Sequence, residues 1–244
     1  LLAMLVWRSG GSPLPAIRKA GLAGVLGGIG LVAAMGGAIL AFQTTTIANA
    51  AFLLAASPFL TAILGRIILG EPVAQQTWMA IGIALVGIFI MVREGLSGGD
   101  WLGNAAALSS ALGFAAFTVT LRWRRLDDSL PSSVLGGAFA VIAGGFIAMK
   151  AGQPLMVPAS DILWCVLMGV VTMSCGMILY TLGSKVVPSA ELTLLSNVEV
   201  MLAPFWVWLL MNETASAGTF LGGGILLVAI LFNAYSGVRR MALA

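Results

Sequence analysis

The sequence predicts an all-α polytopic membrane protein built from an inverted pair of helical repeats. Three observations predict it: little charge, apolar runs long enough to cross a bilayer, and a repeat whose period holds an odd number of those runs. Of the 244 residues 60% are hydrophobic and 9% are charged, with a mean hydropathy of +1.06. A soluble domain carries about a quarter of its residues as Asp, Glu, Lys and Arg. A water-soluble enzyme is therefore excluded at the outset.

Taken in order, Leu1 to Trp7 read as the tail of one span, closed by Arg8. Eight complete candidates follow, at about 21–42, 47–69, 74–92, 101–121, 132–149, 161–183, 188–210 and 216–236, each an apolar run bounded by charge, Pro or Gly. Thr44, Thr45 and Thr46 offer hydroxyl caps to the second of them. Pro58 and Pro204 fall inside spans, where each removes a backbone hydrogen bond and can kink the helix. Gly24, Gly27, Gly28, Gly36 and Gly37, with Gly113, Gly136 and Gly137, provide small faces for close helix approach.

The basic residues check this count independently. Arg8, Arg18, Lys19, Arg66, Arg122, Arg124, Arg125, Lys185, Arg239 and Arg240 fall in alternate connections, and only Arg93 and Lys150 in the others, ten against two. The positive-inside rule makes the first set cytoplasmic and places the C-terminus there. Short basic clusters between apolar runs orient a membrane protein, so the pI near 9.2 carries no implication of nucleic acid. There is no histidine, and Cys165 and Cys175 lie ten residues apart on one apolar run, too distant to bridge. Neither a metal nor a cofactor is expected, and the cysteines read as packing residues.

Sliding the chain on itself by 142 residues aligns 48–88 with 190–230 without a gap. Glu71/Glu213, Thr77/Thr219 and Gly82/Gly224 match, with apolar identities between them. One period holds five spans, so the second copy threads the membrane upside down relative to the first. Such inverted repeats build secondary transporters, with substrate near the midplane between the halves. The second copy begins near Trp101, so the first would begin about 40 residues before Leu1, room for one span and most of another. The expectation is a first repeat over 1–95, lacking its first span and most of its second, and a second repeat over 101–240.

Ile68-Leu69-Gly70-Glu71-Pro72, followed by Gln75, Gln76, Thr77 and Gly82, resembles the EamA-type transporters of the drug/metabolite transporter superfamily. The second copy carries Leu210-Met211-Asn212-Glu213, Thr219 and Gly222 to Gly224, with Asn212 in place of Gly70 and Gly218 in place of Gln76. The resemblance implies ten helices in two five-helix EamA repeats, and an inner-membrane carrier that exports amino acids or related small metabolites. Drug exporters, exporters of other metabolites and importers occur in families of this kind.

Single residues sharpen the expectation. Glu199 lies near the centre of the 188–210 span, where a carboxylate must face protein or water. It can attract an amino group, exchange a proton that couples transport, or join two helices by hydrogen bonds. Its repeat counterpart is Ser57, and Ser196 points about 60° away from it on the same helix. Glu191 stands two turns earlier, as a helix-dipole partner or a vestibule charge. Asn49, the counterpart of Glu191, follows the threonine caps at a helix N-terminus that favours a substrate carboxylate if it lines a cavity. Tyr180 can stack on or hydrogen-bond a substrate, or anchor at the interface. Glu71 and Glu213 read as structural, with Arg66 as the expected partner of Glu71.

The chain is thus expected to be a secondary transporter working by alternating access, with a small metabolite, the lipid bilayer and in one version protons as its partners. No nucleophile with a paired base and no phosphate-binding loop is present, so no catalytic residue is assigned. A non-transporting receptor or assembly subunit is the alternative from another class.

Overall fold

Gly21 divides the first helix among the described residues, α1 (Pro13–Thr44), because its backbone (φ 52°, ψ −138°) leaves the helical region and starts a 24-residue apolar span there. The computed structural model describes residues 13–98, 100–123, 130–150, 152, 158–175, 206, 209 and 216–241, and every regular element among them is helical. Thr44 ends α1 by returning its hydroxyl to the Leu40 carbonyl at 2.6 Å. Thr46 caps the next helix, α2 (Ile47–Leu54), by accepting the Asn49 amide at 3.3 Å. Of the three threonines read from the sequence as caps, Thr46 takes that role.

Helix α3 (Ser57–Leu64) continues the second span after a break, and a π-helical turn (Gly65–Leu69) ends it. Gly70 then takes the left-handed conformation (φ 68°) that a side chain disfavours, and the Glu71 amide closes the turn on the Gly65 carbonyl at 3.3 Å. Helices α4 (Gln75–Gly98), α5 (Trp101–Trp123) and α6 (Leu130–Lys150) follow. Helix α7 (Ala159–Leu167) carries Asp161 in its first turn and runs into a second π-helical stretch (Met168–Cys175). The last helix, α8 (Ala217–Met241), is capped by Ser216, whose Oγ accepts the Thr219 amide at 3.1 Å.

Five spans predicted from apolar runs are helices of membrane-crossing length: Gly21–Thr44, Ile47–Leu69, Gln75–Arg93, Trp101–Thr120 and Ala217–Gly237. Leu135–Lys150 and Ala159–Val171 are shorter apolar helices at two further predicted spans. All of the predicted 188–210 span but residues 206 and 209, and most of the second half of 161–183, lie outside the described residues. Large apolar side chains such as Ile39, Ile67, Leu85, Phe89, Val141 and Phe146 point outward. So many exposed apolar groups on a bundle are stable only in contact with lipid.

Helix α5 is the centre of the bundle: 56% of its apolar stretch is buried, against 28–33% for the other spans. It lies along α1 and also touches α2 and α3, while α8 lies along α4 and reaches α2. Glycine makes both long contacts possible. A Cβ on Gly113 would stand 2.7 Å from the Gly30 carbonyl, and one on Gly87 would stand 2.5 Å from the Gly222 carbonyl. The expected packing role holds for Gly28, Gly37, Gly113 and Gly136, whereas Gly36 and Gly137 face open space. Between the helix pairs, Phe52, Leu53, Phe59, Met91 and Leu226 form a core with small alanines. Cys165, expected to pack inside, is exposed on α7.

Candidate functional site

The second span is interrupted at its middle. Ala55 (φ −65°, ψ −8°) and Ala56 (φ −71°, ψ −11°) flatten ψ, and the helix tightens there. The Ala55 amide is shared between the Ala51 and Phe52 carbonyls at 3.1 Å, and the Ala56 amide reaches only back to Leu53, also at 3.1 Å. Pro58 fixes the break by sequence, since it has no N–H to return to the Leu54 carbonyl. An interrupted backbone at membrane depth is stable where it lies against protein or a water-filled cavity, not lipid. Ser57 sits half-buried on this break as the first residue of α3, and its carbonyl accepts the Thr61 hydroxyl at 2.8 Å.

A second polar feature joins three helices at one end of the bundle. Asn49 of α2, Asn104 of α5 and Thr219 of α8 are 5%, 1% and 5% exposed. Each belongs to the first turn or so of its helix, so three helix starts meet at one level. The Asn49 Nδ2 donates to Asn104 Oδ1 at 2.5 Å and to Thr45 Oγ1 at 3.1 Å. The Thr219 hydroxyl donates to Asn49 Oδ1 at 3.5 Å, and Ser216 Oγ donates to Thr219 Oγ1 at 3.0 Å. Gly103 allows this approach, since a Cβ there would stand 2.6 Å from the Thr45 Cβ. The Asn104 Nδ2 is buried without a hydrogen-bond partner.

At the other end of α5, Arg122 Nη2 meets Glu71 Oε2 at 2.9 Å. Asn104 and Arg122 are separated by about 27 Å of helix at 1.5 Å per residue, close to the thickness of a hydrocarbon layer. The two polar contacts therefore bracket the apolar layer. The partner of Glu71 is Arg122 rather than the expected Arg66. The left-handed Gly70 turn swings the carboxylate over Gly65, whose Cβ position lies 3.2 Å from Glu71 Oε2, and so toward the end of α5.

Among the residues proposed from the sequence, Asn49 and Ser57 lie on the same broken span, eight residues apart. Glu199, Ser196, Glu191 and Tyr180 lie outside the described residues. Asn104 and Thr219 were not singled out as partners of Asn49. A usable signal existed for both: each is a polar residue just inside the start of an apolar helix on the side where Asn49 begins its own. Thr219 is also one of the matched repeat positions.

These features define a polytopic helical membrane protein with a broken span and polar contacts at both ends of a central helix. The chain belongs to the EamA-like transporter family, which it matches over residues 1–93 and 101–235. It is similar to an uncharacterized transporter of Archaeoglobus fulgidus, 25% identical over 195 residues that cover 79% of this chain and 69% of the relative. No solved structure matches. The protein is accordingly a multi-pass membrane transporter.

Proposed function

We propose that the protein is a secondary carrier of small metabolites in the inner membrane, working by alternating access between two inverted units at 1–95 and 101–240. The observation that carries this reading is the mid-span break at Ala55 to Pro58. It sets non-standard backbone at membrane depth, where transporters with inverted repeats place their substrate. Ser57 on the break is the repeat counterpart of Glu199, which supports a site lined by a hydroxyl from one unit and a carboxylate from the other. Ser196, Tyr180, Asn49 and Glu191 are the further candidates around that path. A carboxylate facing a mostly apolar, weakly charged lining suits an amino acid or a related amino compound better than a phosphorylated sugar, which calls for several Lys or Arg at that depth. Net flux is outward, and proton exchange at Glu199 couples it.

The test is flux of labelled amino acids in proteoliposomes, with and without a pH gradient, for the protein and for Glu199→Gln and Ser57→Ala. Saturable flux that the gradient accelerates and that Glu199→Gln abolishes is the expected result. Ser57→Ala is expected to weaken apparent affinity about tenfold, the effect of one lost hydrogen bond. Normal, pH-independent flux in Glu199→Gln would remove the coupling role. Flux of drugs but of no amino acid would replace the substrate class.

A further inference from the structure

We propose that the Asn49–Asn104–Thr219 junction is the gate that closes the transport path on the face of the membrane where Thr45 lies, with Asn104 setting how readily it opens. The inference rests on the alternating-access reading, because only a carrier of that kind must part its two units at one face and then at the other.

Placement comes first. Asn49 belongs to the half of the chain before Arg93, and Asn104 and Thr219 to the half after it, 55 and 170 residues away. Their hydrogen bonds thus tie the two halves together. All three side chains lie at one level, near the helix starts, and a path opening to that face must separate them. Directly beneath, Phe52, Leu53 and Ala56 are closed off, all under 5% exposed.

The chemistry fits a contact that is made and broken. The ties are neutral amide and hydroxyl hydrogen bonds, which water replaces with little net loss once the groups are wetted. A buried ion pair there would resist separation, since each charge would have to be rehydrated singly. The Asn104 Nδ2 adds a bias: unpartnered when the junction is closed, it gains a water partner on opening. The closed form therefore holds together while carrying one group that favours opening, which is the condition for two states of similar energy. The remaining contacts of α5 differ in kind. Ser110 donates to the Ala34 carbonyl in the middle of the apolar layer, along a glycine contact too close to slide open.

The experiment reads opening directly. Ala56→Cys, in a background with Cys165→Ala and Cys175→Ala, places a small thiol about two turns below Asn49. A membrane-impermeant maleimide is then applied from each face in turn. Asn49→Ala and Thr219→Ala are expected to raise the labelling rate roughly tenfold from the Thr45 face, the effect of one lost hydrogen bond, and to leave the other face unchanged. Ser110→Ala loses a buried neutral hydrogen bond, side chain to backbone, away from the junction and is expected to leave both rates unchanged. Equal rates for all variants would overturn the gate, as would a rise from both faces, which marks general loosening. Leu53→Cys is a second reporter should Ala56→Cys not fold. Asn104→Leu tests the bias: loss of the orphan donor, with an apolar group in its place, is expected to slow labelling relative to Asn104→Ala, and the reverse order would refute it. Labelling needs no substrate, so the gate can fail while amino-acid flux persists, and flux can be absent while the gate still opens.

Discussion

Glu71 illustrates how one residue's role depends on a neighbour's backbone. Its amide closes the π-helical turn, its carboxylate follows the left-handed Gly70, and Arg122 completes the contact from another helix. The Glu71 and Arg122 side chains remain 35% and 53% exposed, so solvent and salt screen the pair. A double-mutant cycle with Glu71→Gln and Arg122→Gln, read by thermal unfolding in detergent, is expected to give a coupling below about 1 kcal/mol that shrinks at high salt. A coupling of several kcal/mol, insensitive to salt, would show that the pair is sealed from water. The Leu-Gly-Glu sequence itself was legible as a motif. That Gly70 aims Glu71 at Arg122 rather than at Arg66 was not, because both arginines lie on the same predicted face and only the turn geometry separates them.

At the scale of the helix, periodicity identifies spans but leaves open which side of each meets a neighbour. Gly82 and Gly224 are the matched glycines of the repeat, yet both face open space, while Gly87 and Gly222 make the α4–α8 contact. Gly87 lies about 140° round the helix from Gly82, and Gly222 about 160° from Gly224, which places them on other faces. Gly113→Ala sets a methyl against the backbone of α1 and is expected to destabilise by about 1–3 kcal/mol. Gly137→Ala meets nothing and is expected to be neutral, or stabilising by up to about 1 kcal/mol through helix propensity. Unfolding midpoints of the two variants in detergent provide the comparison, and equal losses would show that close approach does not decide stability here. The break after α2 was legible from Pro58 alone, since a missing N–H acts locally. Its form, a tightened turn at Ala55 and Ala56, arises where the chain compensates.

For the whole molecule, the alternation of Lys and Arg predicts that the C-terminus and the Arg122 end of α5 share one side, opposite the Thr45 end. The Glu71–Arg122 pair joins two connections assigned to the same side, and the Asn49–Asn104–Thr219 junction joins helix starts assigned to the other. Reporter fusions after Ala244 and within the 150–158 connection are expected to report opposite sides of the membrane, with the C-terminal one cytoplasmic. Agreement between the two reporters would break the span count. What the sequence determined by itself is the bilayer as solvent, the position of five spans, the Thr46 cap and the mid-span break, because each follows from residues within a few positions of one another. Which helices touch was decided by tertiary structure alone. In a bundle whose outer face is as apolar as its interior, no hydrophobic contrast marks the buried side. Small residues and a few polar groups choose the neighbours, and their partners stand 55 to 170 residues away, as Asn104 and Thr219 do from Asn49.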